Sequence, residues 1–218
     1  NNCSVTDSVT ITSPSAITYS ATTTNVSCNG GIDGTATLTM SGGTGTLTAD
    51  WGTANPNTLS TGTYSFTITD TNNCSFTDSI TITEPTTISA TSTTTNVSCN
   101  GGNDGTATLT MSGGTGTLTA DWGMANPNAL SVGTYSFTIT DTNNCTFTDS
   151  VSITQPSAIV VSATTTNVSC NGGNDGAATL TLSGGTGTLT ADWGTATPNA
   201  LTAGTHTFSI TDSNNCSL

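Results

Sequence analysis

Cysteines recur at a fixed interval in this chain and are its residues best suited to covalent chemistry. The interval is 71 residues, which relates Cys28, Cys99 and Cys170, and also Cys3, Cys74, Cys145 and Cys216. Cysteines repeated in modules rich in Thr, Ser, Gly and Asn indicate a disulfide framework formed in an oxidising compartment. Zinc ligation is disfavoured because no Cys-x-x-Cys occurs and the one histidine, His206, is not repeated. We therefore expect an extracellular protein held by disulfides.

Acidic side chains form the second chemically distinctive group. The 218 residues include 13 Asp and Glu and no Lys or Arg, so the formal net charge is -13. Phosphate backbones and anionic membrane surfaces need cationic partners, so we expect no nucleic-acid binding. No apolar run approaches the ~18 residues of a membrane span, so we expect no membrane insertion within this sequence.

The same residues do not compose a catalytic site. A nucleophile needs a base, and His206 is found in one copy only, where the other copies have Tyr64 and Tyr135. A catalytic pair of carboxylates would then recur every 71 residues, which is unusual for an enzyme. We expect His206 to replace a structural tyrosine, and we expect neither enzymatic activity nor an organic cofactor.

The constant interval predicts an array of small modules. We divide the chain into a last strand of a preceding repeat (1–13), repeat 1 (14–84), repeat 2 (85–155) and repeat 3 without its last strand (156–218). The junctions Thr83-Glu84-Pro85 and Thr154-Gln155-Pro156 are very short, and proline stiffens a connection. These features predict a semi-rigid rod or filament.

Within a repeat the hydrophobic period is two, which predicts strands and no helix. Tyr64, Phe66 and Ile68 alternate with polar residues. The predicted strands of repeat 1 cover about 17–27, 35–41, 46–51, 58–60, 63–69 and 75–83. Short strands with Trp51 on the third, and Gly-Thr-Tyr entering the penultimate one, favour an immunoglobulin-like β-sandwich. The fold class is therefore all-β, with tandem sandwich modules in which the Trp residues belong to the core.

Immunoglobulin topology leaves two disulfide schemes open. It places Cys28 and Cys74 at opposite ends of one module, and a disulfide needs Cα atoms within ~7 Å. We prefer the inter-repeat pairs Cys28–Cys145 and Cys99–Cys216, which leave Cys3, Cys74 and Cys170 to pair elsewhere. The alternative scheme pairs Cys28 with Cys74 and Cys99 with Cys145, within each repeat.

The same topology gathers carboxylates at each junction. The expected groups are Asp33, Asp50 and Asp141 at the first junction, and Asp104, Asp121 and Asp212 at the second. Hard oxygen ligands at such a joint are suited to Ca²⁺. The alternative, which we favour, is that these Asp residues only form turns beside Gly and Asn.

The repeated phrases resemble the SprB-type repeat. They are Asn-Val-Ser-Cys-Asn-Gly-Gly-x-Asp-Gly at 25–34, 96–105 and 167–176, followed by Ser-Gly-Gly-Thr, a strand ending in Trp, Gly-Thr-Tyr and Asn-Cys. The resemblance implies a segment of a long cell-surface adhesin of Bacteroidota, several of which are associated with gliding. Two features depart from the family: Gly45-Thr46 replaces the usual Pro-Tyr, and the segment after Trp51 is short.

A second resemblance concerns modification of the final strand. Asp-Ser followed by an aliphatic residue is similar to the O-glycosylation motif of Bacteroidota, and it recurs at Ser8, Ser79 and Ser150. By strand alternation each Ser faces solvent. An edge strand without Lys also lacks the usual protection against edge-to-edge pairing, which a glycan would supply.

These observations favour a structural segment of a glycosylated extracellular filament or giant surface adhesin. Its partners would be neighbouring repeats or copies of itself. One alternative is an array of carbohydrate-binding modules that contacts surface polysaccharide. The other is a strand-donating, pilus-like subunit, because residues 1–13 read as a lone final strand and repeat 3 lacks one.

Overall fold

The structure, a computed structural model, describes residues 2–218 as an all-β chain, and this confirms the predicted fold class. No helix occurs in this described range, and hence none with the length and apolar character to cross a membrane. Two compact units are present. Unit 1 comprises the described residues up to Ser89 with Ser112–Thr119 and Thr140–Thr146, and unit 2 comprises Ala90–Met111, Ala120–Ile139 and Phe147–Leu218.

Repeat 1 folds into two small antiparallel sheets. Its strands are β1 (Thr18–Thr24), β2 (Thr35–Ser41), β3 (Thr48–Asp50), β4 (Gly62–Thr69) and β5 (Ser75–Ile82). One sheet has the order β1-β2 and the other β3-β4-β5. With Trp51 directly after β3 and Tyr64 on β4, the second sheet has the C-F-G order of an immunoglobulin fold. The short segment near Leu59 lies beside the start of β2 through a Gly34–Leu59 bridge.

Alternate residues of both sheets enclose one hydrophobic core. Its fully buried members include Phe66 and Ile68 of β4 and Ile82 of β5, each at most 1% exposed. Val26 and Ala36 close the other side, and Trp51 packs against the cluster from its edge. Polar Thr and Ser occupy the outward positions, so the period-two pattern of the sequence is the inside-outside pattern of the sheets.

The later repeats reproduce these elements. Repeat 2 has β6 (Ser89–Thr95), β7 (Thr106–Ser112), β8 (Thr119–Asp121), β9 (Gly133–Thr140) and β10 (Thr146–Ile153). Repeat 3 has β11 (Val160–Thr166), β12 (Ala177–Ser183), β13 (Thr190–Asp192) and β14 (Ser209–Thr211). The last of these keeps three residues of the eight in β4 and β9, because it has no long partner at its outer edge.

Two predicted strands are absent from the described residues. Residues 58–60 form a single bridge at Leu59 instead of a strand, since Pro56 and two turn residues interrupt the pairing. Residues 2–13, predicted as a final strand, form no strand and lie exposed. An antiparallel strand is held by its neighbour's backbone, and here no neighbour accepts the segment.

Candidate functional site at the repeat junctions

Two disulfides join residues of consecutive repeats. Cys28 is bonded to Cys145 within unit 1, with Cα atoms 5.6 Å apart, and Cys99 is bonded to Cys216 within unit 2, with Cα atoms 5.5 Å apart. Each disulfide links residues 117 positions apart. The structure thus has the inter-repeat pairs and does not form the within-repeat pairs of the alternative scheme. Cys3, Cys74 and Cys170 are unpaired and exposed.

The first partner in each junction is the loop between the first two strands of a repeat, here called the junction loop (25–34, 96–105 and 167–176). In repeat 1 the Asp33 carboxylate accepts hydrogen bonds from the backbone N–H and the hydroxyl of Ser27. These bonds, the hydroxyl first, hold the pKa of Asp33 below its usual value. Gly31 donates to the Cys28 carbonyl at 2.9 Å. The loop is therefore closed on itself and presents Cys28 in a defined position.

The second partner is the turn after the penultimate strand, here called the receiving turn (70–74, 141–145 and 212–216). Asp141 lies at its centre with only 5% of its surface exposed. Its carboxylate accepts the backbone N–H groups of Asn143, Cys145 and Thr115, at 2.8 to 2.9 Å. Burial raises the pKa of Asp141, but these N–H donors outweigh it, and the pKa is lower than usual.

Asparagine completes the receiving turn. Asn144 has a φ of 64°, a left-handed conformation that Asn tolerates better than other residues with a Cβ. The same conformation occurs at Asn73 and Asn215. The repeated phrase Asp-x-Asn-Asn-Cys is therefore a built turn, and it fixes the cysteine that follows it.

Hydrogen bonds join the two partners around the first disulfide. Asn143 of the receiving turn donates its side-chain amide to the Ser27 carbonyl at 3.1 Å. Asn29 of the junction loop donates to the Pro85 carbonyl at 3.0 Å and accepts the Thr87 hydroxyl at 2.9 Å. Asparagine side chains thus dock the loop against both the turn and the linker.

The linker itself also contacts the junction loop. Gly30 donates its N–H to the Glu84 carboxylate at 2.6 Å. At the second junction Gly101 donates to Gln155 at 2.8 Å, and Asn100 and Asn214 repeat the contacts of Asn29 and Asn143. The same contacts at both junctions show that the repeat sequence specifies the docking as well as the fold of the module.

The six carboxylates predicted as a calcium site are not brought together. Among residues 2–218 no three His, Cys, Asp or Glu side chains are placed to hold a metal ion. Asp50 and Asp121 each accept the N–H of the glycine two residues later, at 2.8 Å. Asp104 accepts from Ser98, as Asp33 does from Ser27, and Asp212 repeats Asp141. Each carboxylate is satisfied by its own loop, as the turn-forming alternative expects.

The predicted glycosylation serines lie on exposed backbone. Ser79 and Ser150 are exposed on β5 and β10, and Ser8 is exposed in the segment without a strand. Each donates its backbone N–H to the preceding Asp, at 2.7 to 2.8 Å, which leaves the hydroxyl unengaged by that carboxylate. β5 and β10 are edge strands of their sheets.

The aromatic residues and His206 occupy structural positions. Trp51, Trp122 and Trp193 stack at 4.9 to 5.1 Å on the Phe of the neighbouring strand. Tyr64 donates its hydroxyl to the Ser60 carbonyl, and His206 contacts the equivalent Thr202 carbonyl through Nε2 at 2.9 Å. His206 therefore occupies the place of a corner tyrosine.

Sequence reasoning missed the residues that dock the repeats. Asn29, Asn143 and the buried Asp141 were read only as turn formers, although they repeat at 71-residue steps. An Asn that recurs in every copy beside a half-cystine was the available signal. Its role becomes visible only when the partner repeat is present.

Comparison with known proteins identifies the repeat. The family model described as SprB repeat matches residues 20–51, 91–121 and 162–197, once in each 71-residue period. The predicted resemblance is thereby confirmed. No curated protein and no solved structure matches the chain.

Proposed function

The chain is an array of SprB-type repeats, and we propose that it serves as a structural segment of an extracellular adhesin or filament. SprB repeats are typical of surface-exposed proteins and suggest a surface adhesin repeat region. The proposed role is passive: the segment provides reach and mechanical continuity and displays modified side chains at the cell surface.

The junction carries this proposal. Two consecutive repeat boundaries are crossed by a disulfide and by the same set of asparagine hydrogen bonds. A module that acted alone would not need its neighbour's half-cystine. A module that must transmit force does need it, because a disulfide persists when the non-covalent contacts open.

Composition supports an extracellular location. Disulfides persist in oxidising compartments and are rare in reducing ones. The absence of Lys and Arg removes every trypsin cleavage site, which suits a chain exposed to proteases. Glycans at Ser79 and Ser150 would further shield the edge strands β5 and β10.

Labelling of intact cells tests the location and the role together. An antibody raised against the chain should label cells that produce it without permeabilisation. Brief proteinase K treatment should remove the label, whereas trypsin should leave the array intact, since it has no site. A periplasmic protein labelled in parallel controls for cell lysis. Labelling that requires permeabilisation would reject the proposal.

A further inference from the structure

Repeat 3 has an open edge where repeats 1 and 2 are closed. In repeat 1, β5 pairs with β4 along eight residues, from Gly62–Ile82 to Thr69–Ser75. In repeat 3 this edge carries only a Thr211–Ser217 bridge and the Ile210–Leu218 hydrogen bonds among the described residues. Phe208 is only half-buried, whereas Phe66 is 1% exposed. The open edge therefore uncovers core residues.

A groove marks the position of the missing strand. It measures ≈ 310 Å³, and its walls include Val168, Gly176, Leu201, Gly204 and His206. In repeats 1 and 2 the corresponding glycines, Gly34 and Gly105, face an isoleucine of the final strand: a Cβ added to either would lie 2.8 Å from the Cγ2 atom of Ile82 or Ile153. The groove is the equivalent isoleucine site without its isoleucine.

The sequence that fills this site is present elsewhere in the same chain. Residues 4–12 match β10 and the residue after it at Thr-Asp-Ser-Val, and again at Ile11 and Thr12. Val9 and Ile11 are 87% and 90% exposed, although their equivalents Ile80 and Ile82 are 8% and 1% exposed. A segment with alternating apolar residues and a groove shaped for that segment are both left unpartnered.

A second pair of unpartnered surfaces lies at the junction elements. In repeat 3 the pocket beside the receiving turn, between Pro156 and Cys216, is lined in part by Cys99 and Asn100 of repeat 2. In repeat 1 the equivalent pocket, between Pro14 and Cys74, is lined by repeat 1 and its leading residues alone. Cys74 there and Cys170 in the junction loop of repeat 3 are both exposed and unpaired.

We propose that separate copies of this chain join end to end through both pairs of surfaces. Residues 4–12 of one copy add as an antiparallel strand to the open edge of repeat 3 of another copy. This is strand addition to an exposed sheet edge. The same placement brings Cys74 of the first copy to Cys170 of the second, as Cys145 is brought to Cys28. The inference goes beyond the proposed function, which concerns a single chain.

The contacts of the new junction follow from the existing ones. Val26 donates to the Thr83 carbonyl at 3.0 Å, and Thr83 donates to Asn25 at 3.0 Å. Val168 and Asn167 would make these contacts with Thr12 of the incoming strand. Asn171 would dock on Pro14 as Asn29 docks on Pro85.

Formation of the covalent link needs an oxidant, which we take to be a small-molecule disulfide such as oxidised glutathione. The thiolate of Cys170 attacks one glutathione sulfur and releases one reduced glutathione. The Cys74 thiolate then displaces the second glutathione from the mixed disulfide. Two protein thiols are thereby oxidised, and one glutathione disulfide is reduced to two thiols.

The test uses the 218-residue chain with Cys3→Ser, so that only Cys74 and Cys170 are free. In a buffer of oxidised and reduced glutathione, we expect a ladder of covalent multimers in non-reducing electrophoresis and a Cys74–Cys170 crosslinked peptide by mass spectrometry. Light scattering should show association without the disulfide in a Cys74→Ser variant. Monomers throughout, or an intramolecular Cys74–Cys170 link, would overturn the proposal.

Matched variants isolate the strand. The double variant Val9→Asp with Ile11→Asp changes exposed residues outside the folded sheets, so each repeat should remain folded. It should weaken self-association more than about tenfold, because two apolar side chains can no longer enter the groove. Thr10→Asp adds a charge on the solvent face and should associate like the parent. Equal association of the double variant and the parent would also overturn the proposal.

Discussion

Removal of the Cys28–Cys145 disulfide should destabilise unit 1 and leave unit 2 stable. The perturbation is the double variant Cys28→Ser with Cys145→Ser, which leaves no new thiol. The bond closes a loop between residues 117 positions apart. The chain-entropy model gives a stabilisation of about 5 kcal/mol for such a loop, and loss of native disulfides typically costs about 2–5 kcal/mol. Nearly all of this should be a loss in the free energy of unfolding of unit 1.

Native-state hydrogen exchange measures this loss separately in each unit. The amide of Ile68 reports on unit 1 and the amide of Ile210 on unit 2, since both residues are fully buried in their sheets. A loss of about 2–5 kcal/mol corresponds to exchange roughly 30- to 5,000-fold faster at Ile68. Exchange at Ile210 should change little, because Cys99–Cys216 remains.

The control variant is Cys74→Ser, which removes an exposed, unpaired thiol. It should change the free energy of unfolding by no more than about 0.5 kcal/mol, as surface substitutions usually do. The measurement is made with the remaining free thiols alkylated, so that no disulfide exchange occurs. The reasoning fails if the double variant exchanges at Ile68 like the parent, or if Cys74→Ser destabilises unit 1 equally.

Two further predictions concern acid stability and glycosylation. The native pKa values of Asp141 and Asp212 are lower than usual, so the unfolded chain binds protons first as the pH falls. Stability to urea should therefore be constant above about pH 5 and decrease below about pH 4, near the pKa of an unfolded Asp; Asp212→Asn should lower stability at pH 7 and flatten this acid dependence, and an unchanged slope would contradict the assignment. Glycopeptide mass spectrometry of the chain from its native source should find glycans at Ser79 and Ser150 and none at Thr81, which is exposed on the same strand; unmodified Ser79 and Ser150 would refute that prediction.

The strands were predictable because their information is local. Tyr64 to Ile68 alternate apolar and polar residues, and the structure places them as β4 with Phe66 and Ile68 inside. The predicted strand at 58–60 was wrong because Pro56 and its turn restrict pairing to the single Leu59 bridge. Its apolar Leu59 is fully buried, so the pattern identified the core position but not the backbone state.

The site depended on information that no single repeat contains. Topology favoured the inter-repeat pairing of Cys28 with Cys145, yet the within-repeat scheme stayed open because both cysteines recur with the same period. The same topology grouped Asp33, Asp50 and Asp141 as cation ligands. Loop hydrogen bonds, such as that from Ser27 to Asp33, determine where those carboxylates point, and period and parity carry no record of these bonds.

The covalent loops closed by the two disulfides overlap. One spans Cys28 to Cys145 and the other Cys99 to Cys216, so the stretch from Cys99 to Cys145 lies inside both. Every peptide bond between Cys28 and Cys216 is therefore bypassed by at least one sulfur bridge. A single hydrolysed bond in that range leaves a nicked molecule whose pieces stay attached. Such redundancy makes the polypeptide tolerant of isolated damage, like a rope whose strands are spliced at staggered points.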